Sequence, residues 1–264
     1  MLQGQICSDC LAPVAQKLRS VNLEPAPPAD DATFLRRVFL DTIGSLPSME
    51  ETTAFLADTA PDKRAKLIDR LLDHPAWADH WAVKWGDLVR GNPFRVGVKP
   101  VFLMDQWLRD AFRQNKPYDQ FVRELLTAQG STHKTGPPAL FRDKRTPEEA
   151  SGFVSQVFLG VRLECAKCHH HPSEKWDQKD YYQFAAFFSG TRRKGQGISA
   201  PISGEPEYIW ATSNVAMKHP VTGEDLKARA PDGPEASIAT GADPRAALVD
   251  WMVQPENPLF ARAA

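Results

Sequence analysis

The sequence predicts a mainly α-helical protein, a multi-helix orthogonal bundle that gives way to an irregular C-terminal segment with room for short β-strands. Three observations carry that reading. Apolar residues recur at helical spacing from Asp31 to Phe188. Several of these runs open on Ser, Thr or Asp, the residues that cap helix N-termini. From Gly190 to about Pro244 the periodicity vanishes, and seven of the sixteen glycines fall between Gly190 and Gly241. The 264 residues are 42% hydrophobic and 25% charged, which excludes wholesale disorder and fibrous classes. A net charge of −1 argues against a uniformly basic nucleic-acid domain.

The first clear helix begins at Asp31, placing Phe34, Leu35, Val38, Phe39 and Ile43 on one face until Gly44 and Pro47 end it. Ser48 and Glu51 form a capping box for a second helix through Leu56. Lys63 to Asp73 gathers Leu67, Ile68, Leu71 and Leu72 on one side of a third, and Pro75 opens a fourth. That fourth helix carries Trp77, Trp81 and Trp85 at spacing four, a stripe better read as core than as a cofactor lining. Val101 to Arg113 and Tyr118 to Gln129 follow, expected to supply Phe102, Trp107, Leu108, Phe112, Phe121, Leu125 and Leu126 to a core. Thr146-Pro147-Glu148-Glu149 combines a threonine cap, a proline in the first turn and acids at the positive end of the helix dipole. The helix it starts points Phe153, Val154, Val157, Phe158 and Val161 inward and delivers the chain to Cys165. Asp177 caps a further helix bearing Tyr181, Phe184, Ala185 and Phe188. Beyond it, Tyr208-Ile209-Trp210 reads as a short strand, and Pro244 to Val253 as a short helix.

The chain therefore divides into an N-terminal piece with one Cys-x-x-Cys pair (1–11), a helical domain (12–190), an irregular or small β segment (191–243) and a C-terminal piece (244–264). No stretch reaches the roughly 18 to 20 apolar residues a membrane span needs. Met1 to Cys10 lack the basic and apolar regions of a secretory signal.

The sharpest chemical signal is Cys165-Ala166-Lys167-Cys168-His169, followed by His170 and His171. Cys-x-x-Cys-His is the attachment signature of haem c: two thiols three positions apart bond one edge of the porphyrin, and the next imidazole meets the iron. His169 is then the proximal ligand, with Met217 or His219 as candidates for the distal side. His133 and Met104 are more remote possibilities, whereas His170 and His171 sit too close to His169 to cross the ring. Other readings compete. A redox dithiol belongs at a helix start after a strand, whereas a long amphipathic helix precedes this pair. Zinc is an alternative cofactor, held by Cys7, Cys10, Cys165 and Cys168, or with His171 completing a mixed set. Disulfides or inert thiols complete the range. Cys7-Ser8-Asp9-Cys10 precedes Leu11, so it is not a second haem motif. No paired carboxylates or nucleophile triad can be placed, so no hydrolytic activity is assigned.

Four blocks in order resemble a planctomycete-type cytochrome-like domain of unknown function: Phe34 to Asp41, Lys116 to Val122, Phe158 to His169, and Trp176 to Phe188. The resemblance covers most of residues 12 to 190; its one departure is His170, where another polar residue, often asparagine, is expected. In that family the domain commonly follows a cytochrome c module and precedes a second uncharacterised domain. Asn257 to Ala264 resembles the opening of that next domain, so 244–264 reads as its start. The resemblance implies a piece of a large, exported, multidomain protein at the periplasm or cell surface. With the motif, it leads to the expectation of a haem-c electron-transfer module. Its partner would be a redox protein or the neighbouring cytochrome module, not nucleic acid. The alternative is a zinc-stapled structural or binding module.

Overall fold

A computed structural model describes residues 8–89, 91–195 and 204–263, with side chains from Ala12 onward. It is mainly helical with small sheets, as the periodicity predicts. Two compact units divide the chain, one through Trp81 and one from Ala82.

The first unit contains α1 (Ser8–Ser20), α2 (Asp31–Ile43), α3 (Met49–Ala57), α4 (Lys63–Leu72) and the start of α5 (Pro75–Leu88). Asp30 caps α2 by accepting from Thr33 N at 2.7 Å. Gly44 ends α2 at φ 70°, and a Cβ there would stand 2.3 Å from His80 Nδ1, so glycine serves both the turn and the approach. The Ser48–Glu51 capping box forms as predicted. Leu35, Phe39, Ile43, Phe55, Leu67 and Leu71 make the core, with Phe34, Val38 and Trp77 packed against it.

The second unit continues through α6 (Pro93–Val96), α7 (Val98–Arg113), α8 (Tyr118–Leu126), β1 (Gly130–Ser131), α9 (Ala139–Asp143), α10 (Pro147–Phe158), a 3-10 turn (Leu163–Lys167) and α11 (Gln178–Ala185). β2 (Thr191–Gly195), β3 (Glu207–Ala211), β4 (Met217–Lys218), β5 (Asp225–Leu226), α12 (Pro244–Met252) and α13 (Phe260–Ala263) complete it. β1, β3 and β2 pair antiparallel in that order, and β4 pairs with β5. The described part of the segment from Gly190 thus contributes four strands to two small sheets, and the strand predicted at Tyr208–Trp210 is β3.

Trp85 packs on Phe121 and Phe158 at ring-centroid distances of 4.8 and 6.0 Å, so this member of the tryptophan stripe is core material. Two expectations are corrected: in α4 Leu67 and Leu71 are buried but Leu72 is 50% exposed, and in α7 an aromatic faces outward. Phe102 is 56% exposed, because α7 buries Pro100, Met104, Leu108 and Ala111. At 100° per residue, position 102 lies about 200° from both 100 and 104, on the opposite face.

Three arginines make polar contacts around α9 and β3: Arg193 is half-buried, Arg145 exposed and Arg245 buried. Arg193 donates from Nε to Phe141 O and from Nη2 to Lys144 O, each at 2.9 Å. Arg145 forks onto the buried Glu207 carboxylate at 3.1 and 3.3 Å. Arg245, fully buried, reaches Asp243 and Ala128 O and stacks over Phe141 at 4.6 Å.

Candidate functional site

α10 sets up the Cys-x-x-Cys-His motif. Its Thr146–Glu149 capping box forms, with Glu149 N donating to Thr146 Oγ1 at 3.1 Å. Phe153, Val154 and Phe158 fix its inner face. Gly160, at φ 66°, then reverses the chain, and Val161 N donates back to Ser155 O at 2.9 Å.

The motif begins on the 3-10 turn that follows and runs past its end, with Cys168 as the C-cap and His169 beyond it. Residues three apart eclipse one another in a 3-10 helix, which aligns Leu163 with Ala166. Leu163 and Ala166 point inward, at 1% and 0% exposure, while Cys165 and Cys168 lie exposed as free thiols. α11 anchors the turn: Gln178 Nε2 donates to Lys167 O at 2.8 Å. Asp177 and Asp180 form the box that starts α11, and α11 packs against both α10 and the turn.

The three consecutive histidines are chemically unlike. His169 is exposed, and its Nδ1 lies 2.6 Å from His170 O. A ring nitrogen facing a carbonyl carries the proton, which leaves Nε2 with its lone pair. His171 has the reverse arrangement: its Nδ1 accepts from Ser173 N at 3.3 Å and Glu174 N at 3.0 Å. Its neutral ring therefore carries its proton on Nε2, and it serves as an internal clasp. His171 N also donates to Trp176 O at 2.9 Å, closing the loop, and the buried Trp176 donates from Nε1 to Glu174 Oε2 at 2.6 Å. Among the described residues no side-chain hydrogen bond ties His170, which is exposed.

Two residues that periodicity does not single out border the motif. Glu164 lies against Gly152 of α10, where a Cβ would meet its Oε2 at 2.4 Å. It lines a cleft of about 450 Å³ whose other walls include Leu88, Arg95, Asp143, Lys144 and Phe153. Tyr182 is half-buried beside the turn; burial first, then Glu148, pushes its hydroxyl above the usual phenol range, and the Cys168 and Lys167 side chains lie within electrostatic range.

The distal candidates have other roles. Met217 is 9% exposed and belongs to the core of the second unit, opposite Leu226 in the two-stranded sheet. His219 Nδ1 accepts from Val221 N and Thr222 N, both at 3.2 Å, so its neutral ring also carries its proton on Nε2. His133 is half-buried, and its pKa is lowered by burial first and then by Lys99 and Arg142. Met104 is buried in α7. Of the zinc candidates, Cys7 and the side chain of Cys10 lie outside the described residues. Among the described residues no three or more His, Cys, Asp or Glu are grouped to hold a metal ion. No helix among them is long and apolar enough to cross a membrane.

The family model described as PSCyt2, protein of unknown function (DUF1549), matches residues 12–193. No curated protein and no solved structure matches the chain.

Proposed function

The chain belongs to the PSCyt2 family, a planctomycete cytochrome-associated domain of unknown function, and on that footing we propose that the turn Cys165–His169 is an attachment site for haem c in a one-electron carrier. The observation that carries this reading is the pairing of two free, exposed thiols, one on the turn and one at its C-cap, with an imidazole whose Nδ1 is held by a carbonyl. Metal-bound histidines commonly donate their second ring nitrogen to such an acceptor, which fixes the tautomer and aims the other nitrogen outward.

The donor set fits the group. Cys165 and Cys168 would hold the porphyrin through thioether bonds, and His169 Nε2 would be the proximal ligand. When bound, haem supplies reversible one-electron chemistry. The chain's own contribution is positional. Leu163 and Ala166 anchor the turn, Gln178 fixes its last carbonyl, and the His171 clasp sets the loop that carries His170 O to His169. A distal role for Met217 would require it to leave the core, and His219 would have to change tautomer. Exposed donors favour the charged, oxidised form of a group held here and thus a low potential. Haem c is attached outside the cytoplasm, so the reading places the domain in the periplasm or at the cell surface, passing electrons to a redox protein or a neighbouring cytochrome module.

Expression with a signal peptide and a haem-c maturation system tests this by the reduced-minus-oxidised spectrum. The chain should show a c-type α-band, the Cys165→Ser/Cys168→Ser variant none, and His169→Ala an altered or lost band. A colourless chain from cells that mature a control cytochrome contradicts it. The zinc-stapled alternative predicts instead one zinc per chain, lost in the Cys7→Ser/Cys10→Ser variant.

A further inference from the structure

The outer face of the small sheet carries chemistry that the cysteine motif does not use. Along β3, Glu207 and Ile209 point inward, at 2% and 1% exposure, while Tyr208 and Trp210 point outward at 42% and 37%. Two residues apart on a strand, the outward rings stand roughly 6.6 Å from each other along it. Across β2, Arg192 is opposite Trp210 and Lys194 opposite Tyr208, so two cations share the face with the two aromatics. Neither cation is ion-paired with a carboxylate among the described residues. Arg192 Nη1 donates to Ser189 O at 2.7 Å and Thr191 O at 3.4 Å, which holds the guanidinium in place and leaves Nε and Nη2 for another acceptor. Lys194 is exposed.

We propose that this face of β2 and β3 binds an anionic polysaccharide, with pyranose rings against Tyr208 and Trp210 and carboxylate or sulfate groups on Arg192 and Lys194. Aromatic rings offer flat apolar area at low entropic cost, and a fixed guanidinium fork matches planar or tetrahedral oxyanions. Charge complementarity selects the ligand class. Two unpaired cations favour a chain with spaced anionic groups over an uncharged glycan. They are too few for a nucleic acid, whose affinity rests on neutralising many phosphates, and the chain's net charge of −1 adds no basic field.

Isothermal titration of the purified chain decides this, with hexasaccharides of galacturonic acid and of chondroitin sulfate as probes and cellohexaose and a twelve-nucleotide oligothymidylate as comparators. At least one anionic hexasaccharide should bind, less tightly as salt rises, and more tightly than either comparator. Trp210→Ala and Arg192→Gln should each weaken it about tenfold, with Lys194→Gln as a third, independent variant. Unchanged melting temperatures would show that these exposed substitutions leave the fold intact. The proposal falls if neither anionic probe binds, if binding is indifferent to these substitutions, or if cellohexaose or the oligonucleotide binds as well. Self-association that Trp210→Ala abolishes would overturn it too, assigning the face to a second copy of the chain.

Discussion

Two glycines with near-identical clashes on paper predict opposite outcomes. A Cβ at Gly136 would stand 2.5 Å from Leu103 O and 2.8 Å from Met104 Cα, both backbone atoms of α7 that cannot swing aside. Gly136→Ala should cost about 1–3 kcal/mol or more. At Gly152 the obstacle is Glu164 Oε2, the end of an exposed, flexible side chain. There the carboxylate can rotate away while alanine improves the helix by roughly 0.5–1 kcal/mol. Urea midpoints should therefore drop for Gly136→Ala and hold or rise for Gly152→Ala; the reverse order would contradict the packing described. At this scale the sequence discloses what covalent neighbours decide. The spacing of Cys165, Cys168 and His169 is visible in one dimension. The opposite tautomers of His169 and His171 are not, because a carbonyl and two amides brought round by the loop determine them. Tyr182 and Gln178 reach the motif only through the packing of α11.

Helices whose signals are local are legible from the sequence, and those defined by partners are not. The Ser48–Glu51 and Thr146–Glu149 boxes form because donor and acceptor lie three residues apart. Thr146→Ala should cost about 0.5–2 kcal/mol, measured by the same denaturation. β1 is two residues long and exists through its pairing with β3, and α9 follows Pro137-Pro138 and depends on Arg193 for its last carbonyls. Neither leaves a periodic trace. The misplacement of Phe102 has a related cause: an aromatic within a helical run suggests core, but the phase is set by Pro100, Met104 and Leu108. Leu108→Ala should lose about 2–5 kcal/mol and Phe102→Ala no more than about 0.5 kcal/mol. Comparable losses would mean that α7 is rotated from the orientation seen here.

Over the whole molecule, the two units carry weaknesses at opposite ends of the pH range. In the first, hydrogen bonds from Lys63 and then Arg64 hold the Asp31 carboxyl below its usual range. A depressed carboxylate contributes stability that is present above its unfolded pKa, near 3.9, and lost as pH falls through the folded value. In the second, burial pushes the Tyr118 hydroxyl up to about 12 and drives Tyr181 upward as well. Those phenols contribute stability below their unfolded pKa near 10, lost as pH rises toward the folded values. Tyrosinate absorbance and circular dichroism should show alkaline unfolding between about pH 10 and 12, with Tyr118→Phe moving the midpoint upward; an unchanged midpoint would contradict this origin. The helical class, the family blocks and the Cys-x-x-Cys-His spacing were legible in the chain; the 3-10 turn that opens the motif was not. The division after Trp81, within α5, was not, since a continuous amphipathic helix gives no sign of which core each end serves. The central claim remains chemical, and intact-protein and peptide mass spectrometry of chain matured in an oxidising compartment tests it most directly. The account predicts the mass of one haem on the peptide containing Cys165 and Cys168, and no adduct when both are serine. A chain recovered without that mass, its two thiols free to alkylate, would contradict it.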